Sequence, residues 1–154
     1  MEEFRFHSPG ALLDGELELV LVDTLPAKVS PWAVPSYIFE MRHTQSQQRM
    51  GRVTLRIGSI DTIVKYAGQV GYSVDPPFRG HRFAERSVRL ILPLAHKHGL
   101  SGVWITCSPD NVASRITLER LGAQFVEVID VPDDYPLPEG AIRKKSRYRI
   151  ENDQ

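Results

Sequence analysis

The chain has 154 residues, 42% of them apolar and 25% charged, which suits one domain with a full core and sets it apart from disordered, fibrous and disulfide-stapled chains. Its 19 basic and 19 acidic residues cancel, which argues against a protein that coats nucleic acid. The single cysteine, Cys107, leaves no intrachain disulfide, so a cytoplasmic setting is expected; the charged start MEEFRFHSPG lacks the apolar core of a signal peptide, and no run reaches the ~18 apolar residues of a membrane span.

Glu16–Val22 alternates and then turns apolar, and reads as a strand. Leu25–Pro35 holds Pro26, Pro31 and Pro35 and reads as a loop. Trp32 in that loop fits either a core plug or a wall of a substrate cleft, and the apolar area an aromatic buries favours the plug. Ser36–Thr44 is a strand with Tyr37, Phe39 and Met41 on one face. After a turn at Ser46–Gln48, Gly51–Gly58 is a second strand, with Val53, Leu55 and Ile57 facing one way and Arg52, Thr54 and Arg56 the other. The pair reads as an antiparallel hairpin. Ser59–Ala67 leads through Gly68 into a strand that ends at Val74, and Gly68 and Gly71 point to a bulge or a close backbone approach.

Pro76 and Pro77 end that strand, because proline has no backbone donor. Phe78–Arg82 is a turn, and the spacing of Phe83, Ala84, Val88, Ile91, Leu92 and Ala95 predicts a helix closed by Gly99 and Leu100. Pro93 deletes a hydrogen bond and crowds the Arg89 carbonyl, so a kink or a break is expected there. A strand that runs through a tight turn into a helix aims free N–H groups and the positive end of a helix dipole at one point. Arg79, His81 and Arg82 add donors, so the turn reads as an anion site, with a plain connection carrying exposed arginines as the alternative.

Val103–Cys107 is a short buried strand, Ser108–Asp110 precedes a helix over Asn111–Leu121 that Gly122 stops, and Gln124–Asp130 is the next strand. An acidic, proline-rich loop, Asp130–Gly140, leads to a last strand, Ile142–Ile150, whose five cations read as a solvated face. His96 and His98 fall at a helix C-terminus, a solvated role. No cluster has metal-ligand spacing, so no metal is expected. No repeat or linker divides residues 1–154, which read as a single domain.

The stretch VDPPFRGHRFA resembles the acetyl-CoA loop of the GNAT superfamily of N-acetyltransferases, Arg/Gln-x-x-Gly-x-Gly/Ala after a strand ending in Val-x-Pro. Arg79 matches the first position, Ala84 the last, and Val74 and Pro76 the lead-in; Arg82 stands where the family has glycine. Ser108–Glu127 resembles the family's Asn-x-x-Ala/Ser…Leu-Gly-Phe segment through Asn111, Ser114, Leu121 and Gly122. Ala123 stands where Phe is usual, and Leu118 where many members carry a tyrosine proposed to protonate the departing thiolate.

The resemblance implies an α+β fold: a mixed, mostly antiparallel sheet of six to seven strands with a splayed central pair, helices on its faces, and N-terminal helices reduced by the short, proline-broken Leu25–Pro35. It implies acetyl-CoA as co-substrate and transfer of its acetyl group to a primary amine by direct attack in a ternary complex. Arg79, Gly80, His81, Arg82, Phe83 and Ala84 would hold the pyrophosphate, and the main chain of Tyr72 and Val74 the pantetheine arm. The Tyr72 amide would polarise the thioester carbonyl, and Asn111 and Ser114 would complete the set. Asn111 reads equally well as a helix N-cap. The acid and base are not legible. Tyr72 and Ser114 are the candidates, with Tyr66 and Cys107 behind them; for the tyrosines strand packing, and for Cys107 a small buried hydrophobe, is the competing reading. The acceptor would be a small-molecule or peptide amine, with no nucleic acid and no membrane involved, and a homodimer is left open. The rival reading is a non-catalytic CoA-binding or protein-interaction domain on the same fold.

Overall fold

A computed structural model describes residues 3–152. Alternation in the first half builds one antiparallel sheet of five strands in chain order: β1 (Leu13–Asp14), β2 (Leu17–Leu25), β3 (Ser36–His43), β4 (Arg49–Arg56) and β5 (Val70–Val74). The expected hairpin is β3–β4, with Phe39 opposite Val53 and Tyr37 opposite Leu55. Between β2 and β3 the chain makes turns and no helix, as the prolines of that segment dictate. The second half gives a three-stranded antiparallel sheet from β6 (Gly102–Cys107), β7 (Gln124–Asp130) and β8 (Lys144–Glu151), with β8 in the middle. The α+β fold class is the one expected, while the described residues form eight strands in two sheets where six to seven in one sheet were expected.

Two helices, α1 (Phe83–Lys97) and α2 (Val112–Arg120), pack on one face, where Leu17, Leu19, Tyr37, Phe39, Val53, Val88, Ile91, Ile105 and Leu118 form the core. Full burial of a side chain of this kind stabilises by about 1.5–3 kcal/mol. Pro93 does not break α1, which continues to Lys97. The proline is exposed, so the donor it lacks is missing from the solvent side, where helix hydrogen bonds are already the weakest. Both helices end as glycine caps. Gly99 and Leu100 donate to His96 and Ala95, and Gly122 and Ala123 donate to Glu119 and Leu118.

Within the lead-in between β4 and β5, Thr62–Ala67 forms a single π-helical turn. Gly68, at φ 76°, lets the chain leave that turn with its Cα pressed against β6, where a Cβ would stand 3.0 Å from the Trp104 carbonyl oxygen. The next residue joins the two sheets. Gln69 donates its amide to Trp104 O at 2.7 Å, and its side-chain oxygen accepts from Trp104 N at 2.9 Å. Beyond that point no ladder links β5 to β6, and the two strands part. This is the splayed pair.

Candidate functional site

The splay opens toward the start of α1. A 3₁₀ turn, Pro76–Phe78, brings the chain off β5 and into Arg79–Ala84. Gly80 takes φ 95° and Arg82 φ 61°. The second value explains why a glycine suits that position: a left-handed residue with a side chain costs about 1–2 kcal/mol. The amides of Gly80, His81, Arg82, Phe83, Ala84 and Glu85 donate to no described residue, so the turn offers a run of free N–H groups at the positive end of a helix. Nothing lies within 4 Å of a Cβ built on Gly80, so the approach is open. Phe83 and Ala84 are buried and anchor the turn, and the His81 ring stacks on Phe83 with centroids 5.4 Å apart. Arg86 ties the turn to the first hairpin: its Nε donates to Asp14 at 2.7 Å and its guanidinium to Glu16 at 2.5 Å and to the His81 carbonyl.

β5 is the last strand of its sheet, so one edge of it is unpaired. Arg56 N bonds Gln69 O, and Asp75 N bonds Met50 O. Antiparallel alternation therefore turns the odd-numbered residues of β5 toward β4 and leaves the N–H and C=O of Val70, Tyr72 and Val74 on the open edge. The Arg79 side chain folds back to this edge and donates Nε to Val74 O at 3.2 Å.

On the helix face, the two candidate hydroxyls of the sequence meet. Tyr72 Oη lies 2.7 Å from Ser114 Oγ. Burial pushes the Tyr72 phenol up to about 12, against the Ser114 hydrogen bond. Cys107 is buried beside them, and burial raises its thiol. Asn111 caps α2, accepting from Ser114 N at 3.0 Å, so its side chain is engaged within the fold. Leu118 is a core residue with no exposure.

On the other face the sequence reading missed a cluster. Arg56 is 9% exposed. Its Nη1 donates to Ala67 O and Gly68 O, both at 3.0 Å, and its guanidinium lies 4.3 Å from the Trp32 ring centre. Trp32 is thus half-buried against Arg56 and is not a core plug. Tyr66 lies on the π-helical turn, not on a strand, with its ring 5.1 Å from Tyr135. The cations of β8 do not all face solvent either. Arg147 is buried, stacks on Trp104 at 4.2 Å, and bonds Val64 O and Glu127. Strand spacing shows which residues share a face, but not that a π-helical turn will cover it. His98 is likewise engaged, at 2.7 Å from Tyr37 Oη.

A family model described as "Acetyltransferase (GNAT) domain" matches residues 18–124. No protein of curated function matches the sequence. Among solved structures, RimL, a ribosomal L7/L12 alpha-N-protein acetyltransferase in complex with coenzyme A, superimposes with a TM-score of 0.67 at 15% identity, over 93% of this chain and 98% of that one. The ribosomal-protein-S5-alanine acetyltransferase of Vibrio fischeri gives 0.62 at 22%, over 77% and 63%. The microcin C7 self-immunity acetyltransferase MccE, in complex with acetyl-CoA and AMP, gives 0.59 at 17%, over 75% and 61%. The chain thus spans less than two thirds of these last two proteins and nearly all of the first.

Proposed function

The chain belongs to the GNAT acetyltransferase family, and we propose that it transfers the acetyl group of acetyl-CoA to an amine, with both reactants held at the splay between β5 and β6. The observation that carries this reading is the run of free amides from Gly80 to Glu85 opening beside the unpaired edge of β5. The two features suit the two ends of one elongated co-substrate. Arg79 and the amides of Gly80–Ala84 would hold its pyrophosphate. The outward C=O of Tyr72 and N–H of Val74 would pair with the amides of its pantetheine arm as a further strand would. Ser114 and Asn111, at the first turn of α2, would border the arm.

In the reaction the amine nitrogen attacks the thioester carbonyl, the C–S bond breaks, the thiolate departs, and the proton shed by the nitrogen passes to water. Holding the two reactants in register can supply ~7–11 kcal/mol of the barrier. The Tyr72 N–H would donate to the carbonyl oxygen as charge builds on it. The Tyr72 hydroxyl, fixed by Ser114, would stabilise the leaving sulfur. A phenol near 12 is a weaker acid than an ordinary thiol, at ~8.5, so its proton stays on oxygen and the stabilisation is that of a donated hydrogen bond.

Thermal denaturation with acetyl-CoA tests the reading. At ~100 times its Kd a ligand stabilises by ~2.7 kcal/mol, a midpoint rise of roughly 5–10 °C for this size. Wild-type protein should show that rise and Arg79→Glu should lose it. Thiol release with a panel of amines then separates transfer from binding alone, and the absence of both would overturn the proposal.

A further inference from the structure

Arg56 and Lys145 are two sheltered cations with no carboxylate. No ion pair among the described residues includes either. Arg56 reaches across the bare Cα of Gly71, where a Cβ would stand 2.8 Å from Nη2. Nη1 is spent on the π-helical turn, Nε is buried without an acceptor, and Nη2 has no acceptor among the described residues. Gly71 alternates with Tyr72 on β5, so this guanidinium sits on the face of the splay opposite the Tyr72 hydroxyl. Thr106 pairs with Arg147, so Lys145, two residues along β8, lies on the same face at the open end of β6. It is half-buried and donates no hydrogen bond.

The Arg56 charge is felt at Lys145. Burial draws the Arg56 guanidinium down to about 10, with Tyr135 opposing and Arg52 adding to the fall. Burial also lowers the Lys145 ammonium, against the Cys107 thiol and with the help of the Arg56 charge. Burying one cation without a counter-charge is costly, and a second half-buried cation on the same face raises the cost. An anion bound on that face would repay it.

We propose that the acceptor amine carries a carboxylate close to its nucleophilic nitrogen, and that Arg56 and Lys145 hold that carboxylate on the face of the splay opposite the α1 turn. This rests on the acetyl-transfer reading and names the class of acceptor for it. Arg56 is then a specificity-determining residue, Trp32 its lid, and the missing Gly71 side chain its window to β5. The free α-amino acids are the simplest members of the class.

The test uses Trp32 as reporter. With Trp104→Phe removing the second indole and CoA saturating, no transfer takes place, and binding is read from Trp32 fluorescence. The standard α-amino acids and their α-amides are the probes. At least one acid should bind ~10-fold more tightly than its amide, and Lys145→Gln should bring the two together while CoA affinity holds. Lys145 is the residue to change, because Arg56 also pins the π-helical turn. A peptide amide with an N-terminal aspartate separates a side-chain carboxylate from the α-carboxylate as the preferred group. Acids and amides that bind alike, acids that do not bind at all, or a preference that survives Lys145→Gln would each overturn the proposal and leave Arg56 as a clip for the turn. Because CoA binding is measured in the same samples, these outcomes are separate from a failure of the transfer reading.

Discussion

The Tyr72 hydroxyl meets the Ser114 hydroxyl at 2.7 Å, a bond that runs from the open-edge strand of one sheet to the helix that follows the first strand of the other. It closes the splay on its helix side. Burial keeps the phenol protonated through the neutral range, so it stays a donor. Tyr72→Phe should lower kcat for thiol release by ~10- to 100-fold, the equivalent of the ~1.5–3 kcal/mol of a hydrogen bond to a charged group. The Kd for acetyl-CoA should hold within ~2-fold. An unchanged kcat would remove Tyr72 from the chemistry. Ser114→Ala should lower kcat by less, since it orients the phenol without replacing it.

Arg82 occupies a left-handed conformation at φ 61° with no cap from its own side chain. Arg82→Gly relieves about 1–2 kcal/mol of strain and gives back about 0.5–1 in unfolded-chain entropy. The expected net gain is about 0.5–1 kcal/mol, a rise in Tm of ~1–4 °C by calorimetry. Acetyl-CoA affinity should be maintained, because the backbone amide remains. A drop in affinity would assign the Arg82 side chain a direct contact.

Gly68→Ala combines a positive φ with a Cβ 3.0 Å from the Trp104 carbonyl oxygen. It should destabilise by at least ~2 kcal/mol, read as a fall in the urea midpoint with m unchanged. A stability loss below ~1 kcal/mol would mean that the junction between the sheets yields more easily than its geometry implies.

His98 shares a recess with His7, Glu3 and Arg5, and its ring nitrogen bonds Tyr37. Burial and the His7 charge hold its pKa below the usual value. The unfolded chain therefore binds a proton first as pH falls through ~6.5. Stability is full above that pH and declines below it toward the folded pKa. Calorimetry between pH 7.5 and 5 should show Tm falling on the acid side. His98→Gln should flatten that slope, and an equal slope in the variant would place its origin elsewhere.

The hairpin, the strand-turn-helix of Gly71–Leu100 and the capped α2 were legible because each rests on local rules: period-two alternation, proline exclusion, glycine caps. The pairing of Tyr72 with Ser114 was not, although both residues stood out. Their contact depends on how far β5 and β6 diverge, and no periodicity encodes that distance. Arg56 was hidden in plain alternation, as one of three polar residues on an outer face. What buries it is a π-helical turn contributed from the next segment and a tryptophan from the previous one. The same turn makes Arg147 a buried residue in a strand whose spacing reads as solvated. Pro93 did not bring the break that was one of its two expected outcomes, because a proline on the solvent side of a helix loses a bond that was weak to begin with.

Gln69 has the further consequence. Its side chain bonds Gly58 O and Trp104 N while its own amide bonds Trp104 O, so one fully enclosed residue does the work of the strand pairing that ends there. The two sheets are arms of a pair of tongs, and Gln69 is the pivot. Each arm is stiffened by its own ladders, so compliance collects at the hinge, and a small rotation there becomes a larger displacement at the far ends of β5 and β6, at Val74 and Cys107. The grip on whatever lies between the arms is set at the end of the molecule that never touches it.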